Sequence, residues 1–311
     1  MKDKSEQAIM RRGKPTAPLG ASLVVLSSFF YASYGIWTKL MGNFFDGYTA
    51  SAFRSVVVLV ILVAIAMSYR KFEPLRLKRN WPWIAGMVIA SLFTWGTFYY
   101  AILKAGVGIS LSVSYAGIVI GMFLFGWLFA HERFTKDKAS SAALGIVGLA
   151  LIFSPTSTRF VWLALVGAAV SGLSSAANSV FSKQIHYNAT QSTVTLWSAS
   201  VVSNFFMVLV FSKSWPSFSW HIQWLYLVIF AIASVIASWS MISGVKLIDA
   251  GAAGVLGLLE IVFGVLFGLV FFKEHISLIA MLGIVVVIMA AAIPYVKDYN
   301  AKRGTLDEAK A

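Results

Sequence analysis

Glu260 lies in the stretch LGLLEIVFG, inside a run from Ala252 to Phe272 that is otherwise apolar or glycine. A charged side chain at the centre of a spanning helix costs about 2.5–3.5 kcal/mol on insertion scales, so it has to face protein or water rather than lipid. Two readings stand. Either Glu260 meets an amine or a proton in a central cavity, or it is a packing carboxylate hydrogen-bonded to the first and sixth spans. The basic residue at depth is Arg54, about two turns into the second span, where its long stem could carry the guanidinium outward to the interface. It reads as a structural anchor in preference to a direct substrate contact, with a salt bridge to Glu260 as a further alternative.

Aromatic residues crowd the first and third spans: Phe29, Phe30, Tyr31, Tyr34 and Trp37, then Trp95, Phe98, Tyr99 and Tyr100. Aromatic walls with a few hydroxyls and amides suit a small amphipathic metabolite. For each ring taken singly, helix packing or an interfacial belt is the plainer reading.

Other chemistries are poorly supported. With no cysteine in the chain, disulfides, thiolate nucleophiles and Cys-based metal sites drop out. His131, His186, His221 and His275 all fall at span ends, without His-Glu-x-x-His spacing, so no metal is expected. No GxxxxGK[ST] loop is present, ATP is not indicated, and no cofactor is called for. Ser110, Ser112 and Ser174 have no histidine at membrane depth, which leaves an intramembrane enzyme as a remote alternative.

The elements that position these residues follow from composition. Of 311 residues, 59% are hydrophobic and 12% charged, with a mean hydropathy of +0.80; soluble domains have about 45–50% apolar residues. The net charge of +13 sits in short clusters between apolar runs, which argues for membrane topology and against nucleic acid. A spanning helix needs about 20 apolar residues. Ten segments qualify: 19–41, 48–68, 82–103, 107–129, 138–154, 160–181, 193–212, 222–245, 250–272 and 277–296. The first is too long for a signal peptide and has no clear small-residue cleavage site, so it reads as a retained span.

Basic residues set the orientation. One side carries only Lys39, Lys104, Arg159, Lys213 and Lys273; apart from Arg54 within a span, every other Lys and Arg falls on the side of the N-terminus. Both termini are therefore expected in the cytoplasm, which requires an even number of spans.

Sliding the second half back by about 142 to 144 residues aligns SYGIWTKL (Lys39) with ANSVFSKQ (Lys183), AILKAG (Lys104) with SGVKLI (Lys246), Gly121 with Gly264, and Glu132 with Glu274. LGIV recurs at Leu144 and Leu282, shifted by about one turn. Each copy holds five spans, an odd number, so the second enters the membrane upside down. Inverted repeats are a known construction of secondary transporters, whose halves rock about a central site. GxxxG recurs at Gly117–Gly121 and Gly264–Gly268, which predicts tight packing near the pseudo-symmetry axis. Glu132 and Glu274 end the same two helices on opposite faces and read as structural.

The block LLEIVFGVLFGLVFFKEHIS resembles the second-repeat signature of EamA-type transporters of the drug/metabolite transporter superfamily, roughly LEPVFAALLAWLLLGERLS. The likeness extends over nearly the whole chain: ten spans, two repeats, Ala52-Phe53-Arg54 early in the second span, and an acidic residue closing the fourth and ninth. Ile261 stands where the family often has proline, and His131 and Lys273 replace its usual glycine. The resemblance implies an all-α polytopic membrane protein of ten transmembrane helices arranged as two inverted five-helix repeats. The repeats are expected at 19–154 and 160–297, between tails at 1–18 and 298–311.

The resemblance also implies a central cavity lined by spans one, three, four, six, eight and nine. The candidates there are Glu260, Tyr34, Trp95, Tyr99, Ser114, Tyr115, Ser175, Asn178, Trp239 and Ser240, with Arg54, Glu132 and Glu274 as structural residues or charge partners. The expected function is secondary transport across the inner membrane, by export of an amino acid or related metabolite. An importer or exchanger of the same fold is the alternative. Expected partners are the substrate and the bilayer, with the protein a monomer or homodimer.

Overall fold

Backbone polar groups in hydrocarbon must be satisfied within their own segment, which favours helices. In the computed structural model every regular element among the described residues is a helix. The structure describes residues 16–74, 77–133, 135–153, 162–212, 215–216 and 218–308. Most of the N-terminal tail, with Arg76, Arg159, Lys213 and Lys310, lies outside them.

The helices are α1 (Thr16–Ala32, continued by Tyr34–Met41), α2 (Gly47–Ser68), α3 (Leu77–Ala105), α4 (Val107–Ala130) and α5 (Lys136–Phe153). The second half repeats the pattern with α6 (Trp162–Gln184), α7 (Ala189–Phe211), α8 (Ile222–Val245), α9 (Ala250–Gly257, continued by Leu259–Phe272) and α10 (Leu278–Glu308). Eight of these are long and apolar enough to cross a membrane, against the ten expected. The other two are α5, which opens with Lys136, Asp137 and Lys138, and α10, whose described apolar stretch is only Leu278–Ile293. The face where α1 begins is called proximal below, and the other distal.

Helix contacts obey the inversion. α1 packs on α8 and on α9; correspondingly, α6 packs on α3 and on α4. α2 packs on α8, and α7 on α3. Exchanging the halves converts each contact into its partner, while α2 with α7, α4 with α9 and α5 with α10 map onto themselves. α5 and α10 stand outside the rest: Ser141 Oγ donates to the Ala290 carbonyl at 2.5 Å, and Leu149, Ile152, Val287 and Ala290 bury against Val119 of α4 and Val255 of α9.

Only the first GxxxG works as a helix seam. A Cβ on Gly117 would lie 2.9 Å from the Ala169 carbonyl oxygen of α6, and one on Gly121 2.7 Å from the Ala176 Cβ. Gly264 has nothing within 4 Å, and Gly268 lies under its own helix's Glu274. The close approach is therefore between α4 and α6, not at the pseudo-symmetry axis between α4 and α9. One further residue explains this. A Cβ on Gly172 of α6 would fall 2.0 Å from the Ser114 carbonyl oxygen. At the repeat-related position of α1 stands Ser28, whose hydroxyl donates to the Val24 carbonyl of its own helix at 3.0 Å and lies 3.5 Å from the Leu256 carbonyl across the seam.

α1 and α9 are the helices that break. At Ser33 and Leu258 the ladder lapses to i→i−3 bonds, Ile36 N–H to Ser33 O and Leu258 N–H to Val255 O. The α9 break occurs without the family's proline, one residue after Gly257. Such irregular turns within helices mark points of adjustment.

Candidate functional site

Glu260 sits in the first turn of the second half of α9, two residues past the break at Leu258. The group on α4 that couples to it electrostatically is Tyr115. α4 stands beside α9 here because the two are repeat-related and meet at the axis. Tyr31 and Tyr34 of α1 complete the electrostatic surroundings of this carboxyl group.

The second charge at depth is more enclosed than its position suggests. Asp46 caps α2, its Oδ1 accepting from the Tyr48 and Thr49 amides at 2.7 and 2.9 Å, while Oδ2 accepts from Ser212 Oγ at 2.6 Å and ties the end of α7. Arg54 follows roughly 10 Å into the helix and is only 2% exposed. The expectation that it extends outward to the interface is therefore corrected. Its guanidinium carbon lies 4.3 Å from the ring centroid of Phe230, 4.8 Å from Trp95, 5.0 Å from Tyr34 and 5.9 Å from Trp197. Rings attract a desolvated guanidinium through their quadrupoles, so a cage drawn from α1, α3, α7 and α8 compensates the burial. Trp197 is held in place by its Nε1–H donating to Ser238 Oγ at 2.8 Å. Nε and Nη2 of Arg54 have no hydrogen-bond partner among the described residues. Nor does Arg54 form an ion pair with Glu260 among those residues; the ion pairs join other groups.

All three pairs join one half to the other, and two of them are repeat equivalents. Lys183 of α6 donates to Glu132, after α4, at 2.7 Å. Lys39 of α1 donates to Glu274, after α9, at 2.6 Å. The lysines are repeat equivalents, as are the glutamates, so each pair joins one half to the other, the first at the proximal face and the second at the distal face. They are unequal. The proximal side chains are 19% and 11% exposed, the distal ones 52% and 56%. Glu132 also accepts from the Ala250 amide at 2.8 Å, and Lys183 donates to the Ile248 carbonyl at 2.7 Å. Each glutamate is turned back over its helix by a left-handed residue, His131 (φ 53°) or Lys273 (φ 53°), closed by Glu132 N–H to Gly126 O at 3.1 Å and Glu274 N–H to Gly268 O at 3.2 Å. A third pair, Lys138 with Asp249, adds a tie on the proximal face.

The repeat, the inverted contacts and the matched helix ends have a counterpart among known proteins. The model of the EamA-like transporter family matches residues 18–154 and again 162–295. The chain belongs to that family. One solved crystal structure superposes on this EamA-like transporter with a TM-score of 0.73, over 90% of this chain and 98% of its own, at 16% identity, which establishes a shared fold. No curated protein matches it.

As a membrane transporter of the drug/metabolite type, the protein acts on a small molecule within a lipid environment. The candidate residues distribute around it unevenly. Tyr34 and Trp95 wall Arg54, and Tyr115 meets Glu260. Tyr99 lies further towards the distal end of α3, 4.8 Å from the Tyr48 ring. Ser114 is taken up in the α4–α6 seam. Asn178 donates to Ser91 and Thr94 of α3 at 3.3 and 3.4 Å. Ser240 is fully buried with an unpartnered hydroxyl among the described residues. Trp239 turns out of the bundle, 38% exposed, its Nε1–H on Thr190. Trp197 and Phe230, absent from the candidates, form half of the Arg54 cage. Nothing in the spacing of α7 or α8 marks them, because the cage assembles across helices distant in sequence.

Proposed function

We propose that this EamA-like transporter is a ten-span secondary carrier of the inner membrane that moves an amino acid or related amphipathic metabolite by alternating access of two inverted halves. The reading takes both termini as cytoplasmic, the halves as 19–154 and 160–297 between terminal tails, and export as the direction. The substrate contacts are Glu260, Tyr34, Trp95 and Tyr115.

The observation that carries it is the pair of cross-half latches. Opening the proximal face separates Lys183 from Glu132 and spares Lys39–Glu274; opening the distal face does the reverse. A pore has no need of such reciprocity, whereas a carrier must hold one end shut while the other is open. Proximal burial of one latch and exposure of the other support a resting state sealed on the proximal side. Counterflow in proteoliposomes tests the reading. Labelled solute should accumulate against unlabelled solute inside for at least one member of a panel of amino acids, nucleobases and carboxylates; absence of accumulation across the whole panel sinks it.

A further inference from the structure

The cage around Arg54 has no evident purpose in packing alone. A cation inside a membrane protein is usually paired with a carboxylate or backbone carbonyls. Here four rings occupy that place, and Nε and Nη2 retain unused N–H donors at a side chain that is 2% exposed. Rings hold a guanidinium without consuming its donors, since cation–π attraction acts on the face of the group and hydrogen bonds lie in its plane. The arrangement is one that keeps a fork of donors in reserve. A guanidinium fork matches a carboxylate bidentately.

The opposite pole completes the pattern. Arg54 lies 5.0 Å from the Tyr34 ring, and Tyr34 packs on Tyr31 at 5.2 Å; the Glu260 end of α9 packs on the same helix, Phe263 lying 5.5 Å from Phe29, so the two charges approach α1 from different helices without pairing. Measured along their helices from the distal ends, Arg54 lies roughly 10 Å deep and Glu260 roughly 18 Å. Two opposite charges held apart across aromatic walls complement a molecule carrying both charges and an apolar body. The Arg54 cage also draws rings from both halves, Tyr34 and Trp95 from the first and Trp197 and Phe230 from the second. A group bound there senses any movement of one half against the other.

We infer that Arg54 is the carboxylate-binding residue of the substrate site and that Glu260 with Tyr115 receives the ammonium, so that the substrate is a zwitterionic amino acid with an apolar or aromatic side chain. This rests on the transport reading above and names the poles of its site. The α1 break at Ser33, beside Tyr34, is where the cage would loosen to admit the ligand.

The test uses full-length protein in nanodiscs and three probes: L-phenylalanine, 3-phenylpropanoate, which lacks the ammonium, and 2-phenylethylamine, which lacks the carboxylate. For the unaltered protein L-phenylalanine should bind at least about tenfold more tightly than either analogue, the loss expected from one charge-assisted contact. Arg54→Lys should weaken L-phenylalanine and 3-phenylpropanoate about tenfold while leaving 2-phenylethylamine within about twofold. Glu260→Gln should do the converse. The inference is overturned if no probe binds, if 2-phenylethylamine binds the unaltered protein as well as L-phenylalanine, or if Arg54→Lys weakens all three alike. Should the variants fail to fold, the three affinities of the unaltered protein still decide it. Counterflow of a solute without a carboxylate, with these probes inert, would leave the transport reading standing and this assignment refuted.

Discussion

His131 and Lys273 hold a left-handed backbone, φ 53° in both, at the ends of α4 and α9. A side chain there costs about 1–2 kcal/mol relative to the right-handed region, and glycine avoids that penalty, which accounts for the family's usual residue. His131→Gly and Lys273→Gly are each expected to stabilise the detergent-solubilised protein by about 1 kcal/mol, read as a raised melting temperature. Lys246 offers a second handle. Its ammonium donates to the Ile185 and Tyr187 carbonyls at 3.1 Å, and burial pushes it from 10.5 down to about 8, against the pull of Glu73. Between those values the unfolded chain binds more protons than the folded one, so stability should rise with pH from about 8 to 10.5. Lys246→Gln should flatten that rise in melts taken across the window. The charges at depth were legible in the sequence because Glu260 and Arg54 interrupt apolar runs. Their neighbours were less so. An interrupted run announces a charge but not which helix will face it, and Tyr115, Trp197 and Phe230 are brought near only by packing.

At the scale of helices, apolar length located the spans well and failed at their polar margins, where α5 spends its first turn on Lys136, Asp137 and Lys138. The GxxxG of α4 correctly signalled a close seam. The GxxxG of α9, one turn further along the repeat, did not, because glycine permits approach only where a facing helix also lacks bulk, as α6 does at Gly172. That seam invites a direct perturbation. Gly172→Ala places a Cβ 2.0 Å from the Ser114 carbonyl oxygen, and with backbone on both sides neither helix yields easily. A destabilisation of about 1–3 kcal/mol is expected, as for overpacked cores, measured by thermal unfolding; an unchanged melting temperature would show that α4 and α6 part readily.

For the whole molecule, the inversion was readable from repeated lysines and glutamates, but the sequence did not reveal that they bond to each other across the halves. Alignment marks Lys39 and Lys183, or Glu132 and Glu274, as equivalents; only the packing of α1 on α9 and of α4 on α6 makes them partners. The two latches should also respond differently. Exposed pairs contribute at most about 1 kcal/mol; the part-buried proximal pair should cost more than that to break, short of the about 3–5 kcal/mol of a fully buried pair. The chain has no cysteine, so Ser182→Cys, a fully buried position beside Lys183, would be a single reporter of proximal opening. Maleimide labelling there should accelerate when Lys183→Ala is added and stay near its original rate with Lys39→Ala. Equal rates in both would remove the asymmetry argued above.

Each latch joins the lysine of one half to the glutamate of the other, so the two are a single contact written twice. It is the contact that two half-length chains would make if they met in opposite orientations in one bilayer. Two identical halves wired this way would carry every side chain at both faces, and any carboxylate at depth in duplicate. Within one chain the halves are free to differ. Glycine stands in one seam where serine stands in the other, and a lone acid, Glu260, has an uncharged GIVIG as its repeat counterpart.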